Sequence, residues 1–193
     1  MATWKHPFSK STITSVFGTM VRRTSPHRGT DYAPGANELI PAVTKGTVKV
    51  TAWSNCLGWY MVQTAWAEGK TWYIGYCHLS CNTHGVDCKG PKQHPDGSNN
   101  FKNLKEGDTV ELGQWVGRVG NTGSCSRGAH LHAVLGRSAR SVTSGKVYDL
   151  AAFIDSQATP SKPAKAATKP KPAAEPPNKT YTPEVCKCCK RPL

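Results

Sequence analysis

Residues 46–53 read Gly-Thr-Val-Lys-Val-Thr-Ala-Trp, with Val48, Val50 and Ala52 alternating with Thr47, Lys49 and Thr51. That is the two-residue period of a strand with one buried face. Residues 58–64 and 71–78 are rich in aromatic and β-branched side chains, and Ala-Glu-Gly-Lys (67–70) between them reads as a hairpin turn. Residues 109–119 and 130–135 supply two more strands, and glycines at 107, 113, 117, 120, 123 and 128 punctuate them as tight turns require. Only residues 147–156 read as helical, and no internal repeat is visible. The expected fold is all-β, mainly an antiparallel sheet, with a short C-terminal helix.

Composition divides the chain near residue 156. Residues 1–156 carry six of the 14 prolines, nearly all the large apolar side chains and all seven histidines. Residues 157–193 carry the other eight prolines, eight Lys/Arg and two acids. Such a segment offers too little apolar surface to offset the entropy of ordering it. The expected organisation is a folded domain over 1–156 and, over 157–193, a Pro/Ala/Lys-rich linker ending in a Cys-rich basic tail, disordered as a whole.

The formal charge of +13 splits into about +7 on the domain and +6 on the tail. A basic surface suits polyanions. Tyr181 is the tail's only aromatic, so it offers no stacking platform, and no zinc-finger, RRM-like or helix-turn-helix pattern appears. No specific nucleic-acid partner is expected; anionic wall polymers or membrane surfaces suit the charge equally well. The N-terminal MATWKHPFSK has no signal-peptide character and no run approaches a membrane span. The expectation is synthesis in the cytoplasm without an export route of its own.

Five residues carry candidate chemistry: His27 and Asp31 in His-Arg-Gly-Thr-Asp, His78 in Tyr-Cys-His-Leu-Ser, and His130 and His132 in His-Leu-His. Residues two apart on a strand share a face, so His130 and His132 enter one site together. Gly29 permits a bent backbone that brings His27 and Asp31 to one point. Two imidazoles and one carboxylate make a three-ligand zinc site with an open position, the catalytic rather than the structural pattern. Spacing alone does not say which of His130 and His132 is the ligand.

The surrounding motifs resemble the lysostaphin/LytM-type zinc peptidases, a family that includes many phage cell-wall lysins. The resemblance covers Thr14-Ser-Val-Phe-Gly18, His27-Arg-Gly-Thr-Asp-Tyr-Ala33, Pro41-Ala-Val-Thr-Lys-Gly-Thr-Val48, Tyr76-Cys-His-Leu-Ser80, Leu104-Lys-Glu-Gly-Asp-Thr-Val110, Gly113-Gln-Trp-Val-Gly117, Gly120-Asn-Thr-Gly123 and Gly128-Ala-His-Leu-His132. It implies Zn2+ on His27, Asp31 and His132, with His78 and His130 as catalytic residues in an open groove. The implied substrate is bacterial peptidoglycan, cut at a stem-peptide or cross-bridge bond. Thr19 and Met20 stand where the family usually has an Arg, and Ala133 and Val134 where it has an aromatic and an acid.

The resemblance and the missing signal together imply a bacteriolytic phage lysin. It would be a monomer, made in the host cytoplasm and reaching the wall at lysis or with the phage particle. The competing reading is a non-catalytic wall-binding or regulatory module on the same fold. Such modules typically lose metal ligands, whereas all five positions are filled here.

Cysteine usage leaves more open. Cys56 and Cys125 are isolated, and Cys186, Cys188 and Cys189 crowd the end. Cys77, Cys81, His84 and Cys88 have spacing that allows a second, structural zinc, against a disulfide within the insertion or free thiols. Disulfides are expected only if the protein matures or acts outside a reducing compartment. The insertion over residues 80–100 is expected to wall the substrate groove.

Overall fold

The computed structural model describes residues 3–80 and 104–158. The main sheet is ordered β1 (Ile13–Ser15), β2 (Thr30–Tyr32), β9 (Leu131–Gly136), β6 (Lys70–Leu79), β5 (Gly58–Ala67), β4 (Gly46–Ser54) and β7 (Thr109–Val110). The short β10 (Val147–Tyr148) pairs with the end of β9, and β3 (Leu39–Pro41) forms a separate ribbon with β8 (Trp115–Arg118). Every described pairing is antiparallel. The all-β expectation holds.

Three details differ from the sequence reading. Residues 109–119 form two strands, β7 and β8, because a turn at Gly113 breaks the run. Residues 147–148 extend the sheet as β10, and the helix α2 begins afterwards, spanning Leu150–Ala158. A second helix, α1 (Ala139–Thr143), was not legible, being a single capped turn. None of the described helices is long and apolar enough to cross a membrane.

The two faces of the sheet have different tasks. One face carries the main core, where Tyr32, Ile74, Tyr76, Leu79, Leu131, Ala133 and Leu135 pack with Trp4, Ile40, Val116, Leu150 and Ile154. The opposite face carries a smaller cluster of Val62, Cys77, Val134, Val142 and Val147, covered by α1. Beyond that cluster, β2, β6 and β9 are free to present polar side chains.

Two bulges set which face a side chain reaches. On β4 the register shifts between Val48 and Val50, which pair with Gln63 and Val62. The extra residue, Lys49, sends Val48 into the main core and Val50 against the smaller cluster, so the alternation expected for 46–53 breaks there. On β6, Tyr76 pairs with Met61 and Leu79 with Trp59, so Cys77 and His78 together oppose the single residue Tyr60. Strict alternation would bury His78 in the core beside Tyr76. The bulge turns it to the other face, with His78 at φ +61, an uncommon conformation for a side-chain-bearing residue.

The insertion from Cys81 onward and the tail from residue 159 lie outside the described residues, and with them the groove-wall expectation, Cys81, His84, Cys88, Cys186, Cys188 and Cys189. Cys77 is the free cysteine among the described residues, and its thiol lies in the smaller cluster.

Candidate active site

β2 and β9 pair side by side, with Asp31 opposite His132, and β9 also pairs with β6, with Cys77 opposite His132. His27 arrives from the segment before β2, fixed by its own backbone: its N–H donates to the Thr19 carbonyl and its carbonyl accepts from Gly18. Gly29 contributes differently from the expectation. It has no left-handed torsion; instead a Cβ there would lie 2.4 Å from the Ala133 carbonyl oxygen and 2.8 Å from the His132 ring. Only a residue without a side chain lets His27 and Asp31 approach β9 so closely.

Three donor atoms converge. His27 Nε2 lies 3.0 Å from Asp31 Oδ1 and 3.0 Å from His132 Nδ1, and His132 Nδ1 lies 2.8 Å from Asp31 Oδ1. All three residues are buried. Behind this cluster, His27 Nδ1 is 3.1 Å from the Val16 carbonyl oxygen and 3.0 Å from Ser15 Oγ. A carbonyl can only accept, so Nδ1 carries a proton and Nε2 is the nitrogen turned inward. The other carboxylate oxygen, Asp31 Oδ2, is taken by Arg23 at 3.0 Å. Two imidazole nitrogens and one carboxylate oxygen therefore crowd one point, each within 3.0 Å of the other two. A bound cation resolves that arrangement, and the donor set, two imidazoles and a carboxylate, fits zinc.

His78 and His130 flank this cluster on the same face. His78 Nδ1 donates to the Thr122 carbonyl at 2.8 Å, and His130 Nδ1 donates to the Gly128 carbonyl at 2.8 Å. Both rings thus keep Nε2 as an acceptor when neutral. Their centroids are 4.7 Å apart, and His130 Nε2 is 3.7 Å from Asp31 Oδ1. All five expected residues are brought together.

Electrostatics separates the groups. Burial pushes the Asp31 carboxyl up, but the facing imidazoles of His132 and His27 outweigh it and hold the group well below the usual carboxylate range. Burial drives His78 down, helped by His132 and His130 and opposed by the Thr122 carbonyl and Asp31, to about 3. Burial also lowers His132, against the pull of Asp31. His78 is therefore a neutral base in neutral solution.

Sequence reasoning missed Arg23, Ser15, Thr122 and the joining of Cys56 to Cys125 in a disulfide. Thr122 lies inside a quoted motif, but its contribution is a backbone carbonyl, which carries no residue signature. Ser15 lies inside another, at the end of β1, where a serine carries no signal of its own. Arg23 and the disulfide depend on loop geometry.

No family model matches the chain. Among solved structures, the catalytic domain of the antimicrobial peptidase lysostaphin from Staphylococcus simulans superposes with a TM-score of 0.53 at 23% identity, covering 73% of this chain and 90% of that domain. The fold is that of the lysostaphin catalytic domain. The catalytic domain of the prophage-encoded protein EnpA from Enterococcus faecalis is 27% identical, with a TM-score of 0.51, covering 70% of this chain and 87% of that one. A zinc-containing peptidase from Vibrio cholerae is 25% identical with a TM-score of 0.50, over 70% of this chain. The chain spans only 36% of that peptidase's length.

Proposed function

We propose that this chain is a zinc-dependent endopeptidase that hydrolyses peptide bonds of bacterial peptidoglycan, in a stem-peptide cross-link or cross-bridge, and that it serves a phage as a lysin. The observation carrying this reading is the pairing of two sets on one face: three convergent ligand atoms from His27, Asp31 and His132, and two further imidazoles fixed by backbone carbonyls. Structural or regulatory sites have no use for the second pair. The zinc peptidase and prophage neighbours point the same way, as do the motifs around the site.

In this reading His27, Asp31 and His132 hold the metal. Bound zinc supplies Lewis acidity, polarising the scissile carbonyl and making water nucleophilic near neutral pH. His78 and His130 supply the proton transfers. Each presents Nε2 as an acceptor, able to take the proton of the attacking water and return it to the leaving amine. Once protonated, either ring also stabilises negative charge on the carbonyl oxygen. Burial keeps His78 unprotonated at neutral pH.

Mass spectrometry of fragments released from purified peptidoglycan tests the assignment. One new amine and one new carboxyl end, at a single kind of peptide bond, are expected. New sugar reducing ends with intact peptides would overturn it.

A further inference from the structure

The loop from Gly120 to His130 holds both non-ligand histidines. It closes on itself through His130 N–H to the Gly120 carbonyl, and supplies the Thr122 carbonyl to His78 and the Gly128 carbonyl to His130. Ser126 Oγ, within the same loop, bonds Asn121 Oδ1 at 2.6 Å. Within the loop, Ser126 also donates its N–H to the Gly123 carbonyl and its Oγ to the Gly128 carbonyl. Further support comes from the Leu79 carbonyl, which accepts from Thr122 Oγ1, and from the turn joining β4 to β5. Ser124 and Cys125 donate their N–H groups to the carbonyls of Asn55 and Cys56, and Thr122 Oγ1 accepts from Trp59. The same turn holds His78 directly, its N–H donating to the Leu57 carbonyl. A Cβ on Gly123 would lie 2.2 Å from Gly58 N, so the two segments meet backbone on backbone.

Across this contact runs the one disulfide among the described residues, Cys56–Cys125, joining positions 69 residues apart. Cys125 is exposed and Cys56 half-buried, so the bond is open to solution thiols. The metal-ligand cluster stands apart from it, on β2, β9 and the segment before β2. The bond therefore bears on His78 and His130 first, and on His27, Asp31 and His132 only through them.

We propose that Cys56–Cys125 is a redox-sensitive clamp that positions His78 and His130, so that the protein is fully active only with this bond formed. The proposal rests on the hydrolase reading above for its catalytic consequence. Reduction adds two electrons and two protons across the sulfur–sulfur bond, supplied by a thiol pool that is itself oxidised to a disulfide, and leaves two protein thiols. The backbone hydrogen bonds remain, so the fold persists while the carbonyls that aim the two imidazoles gain freedom. A chain kept reduced before reaching the wall would thus be held at low activity and switched on where thiols are scarce.

The test uses the full chain, a soluble wall peptide and a phosphine reductant. Reduction is expected to lower kcat about ten- to a hundredfold, the cost of misplacing catalytic groups on an ångström scale. KM and zinc content should stay nearly constant, and reoxidation should restore kcat. Backbone hydrogen exchange should quicken in residues 55–57 and 121–128 but not in β5 and β6. The double variant Cys56→Ser/Cys125→Ser should show the low kcat in either redox state. Unchanged loop exchange and unchanged kcat on reduction would overturn the clamp, as would equal redox sensitivity in the double variant, which would assign the effect to the other cysteines. An oxidised protein that cuts no wall peptide would overturn the hydrolase reading instead, and the exchange measurement would still decide the clamp.

Discussion

His78 Nδ1 and the Thr122 carbonyl oxygen are 2.8 Å apart, and this contact fixes which nitrogen of the ring faces the site. Thr122 is itself held by its hydroxyl, which donates to the Leu79 carbonyl at 2.8 Å and accepts from the Trp59 N–H at 3.1 Å. Thr122→Val keeps the shape and removes both bonds. Losing the bond from the Trp59 N–H should cost about 0.5–1.5 kcal/mol, read as a lower Tm. Activity should fall with the ring's loss of orientation, zinc content should not, and Thr122→Ser should recover most of the activity.

Gly29→Ala probes the close approach of β9. The added Cβ meets the Ala133 carbonyl oxygen and the His132 ring, so backbone has to move. A cost of about 1–3 kcal/mol is expected, together with loss of bound zinc, because the displaced segment carries His27 and Asp31. Denaturant titration and metal analysis of one preparation check both. A stable, zinc-replete Gly29→Ala protein would show that the approach is not required.

Much of this was legible in the sequence, and the reasons are physical. The strand pattern over β4, β5, β6 and β9 is written in alternating and β-branched residues, and His-Leu-His announces a shared face. Bulges are not written that way. Lys49 and His78 look like ordinary strand positions, yet each shifts the side chains around it to the other face. His78 reaches the site only because of its bulge. The Arg23–Asp31 pair was illegible because it depends on how the loop before β2 folds back, and the Cys56–Cys125 bond because it joins segments whose meeting depends on the whole sheet.

Acid should destabilise the metal-free protein in a defined interval. The unfolded chain protonates His78 near its ordinary pKa of 6.5, while the folded protein keeps it neutral down to about 3. The unfolded state binds more protons across that interval, so stability falls as pH drops through it. The lowered His132 adds in the same direction. Asp31, depressed in the folded state, contributes stability that is lost as pH falls below 3.8. His78→Asn should flatten part of the slope between pH 6.5 and 3, and Asn tolerates the positive φ at that position. Urea unfolding of the chelated protein at several pH values measures it.

The basic tail is proposed to concentrate the enzyme on anionic wall polymers through a salt-sensitive attraction. Removing residues 159–193, after the last residue of α2, should lower lysis of intact walls at low salt and spare cleavage of a soluble peptide. Loss of soluble-peptide cleavage would place the tail within the catalytic unit.

The most direct test of the account measures zinc content beside turnover in His132→Ala, His130→Ala and His78→Asn. His132 Nδ1 belongs to the three-atom cluster, whereas His78 and His130 use Nδ1 on backbone carbonyls and only flank it. His132→Ala should therefore be metal-poor. The other two should remain folded and zinc-loaded, with kcat reduced on the order of a hundredfold or more. A zinc-replete, active His132→Ala beside a metal-free His130→Ala would contradict the account.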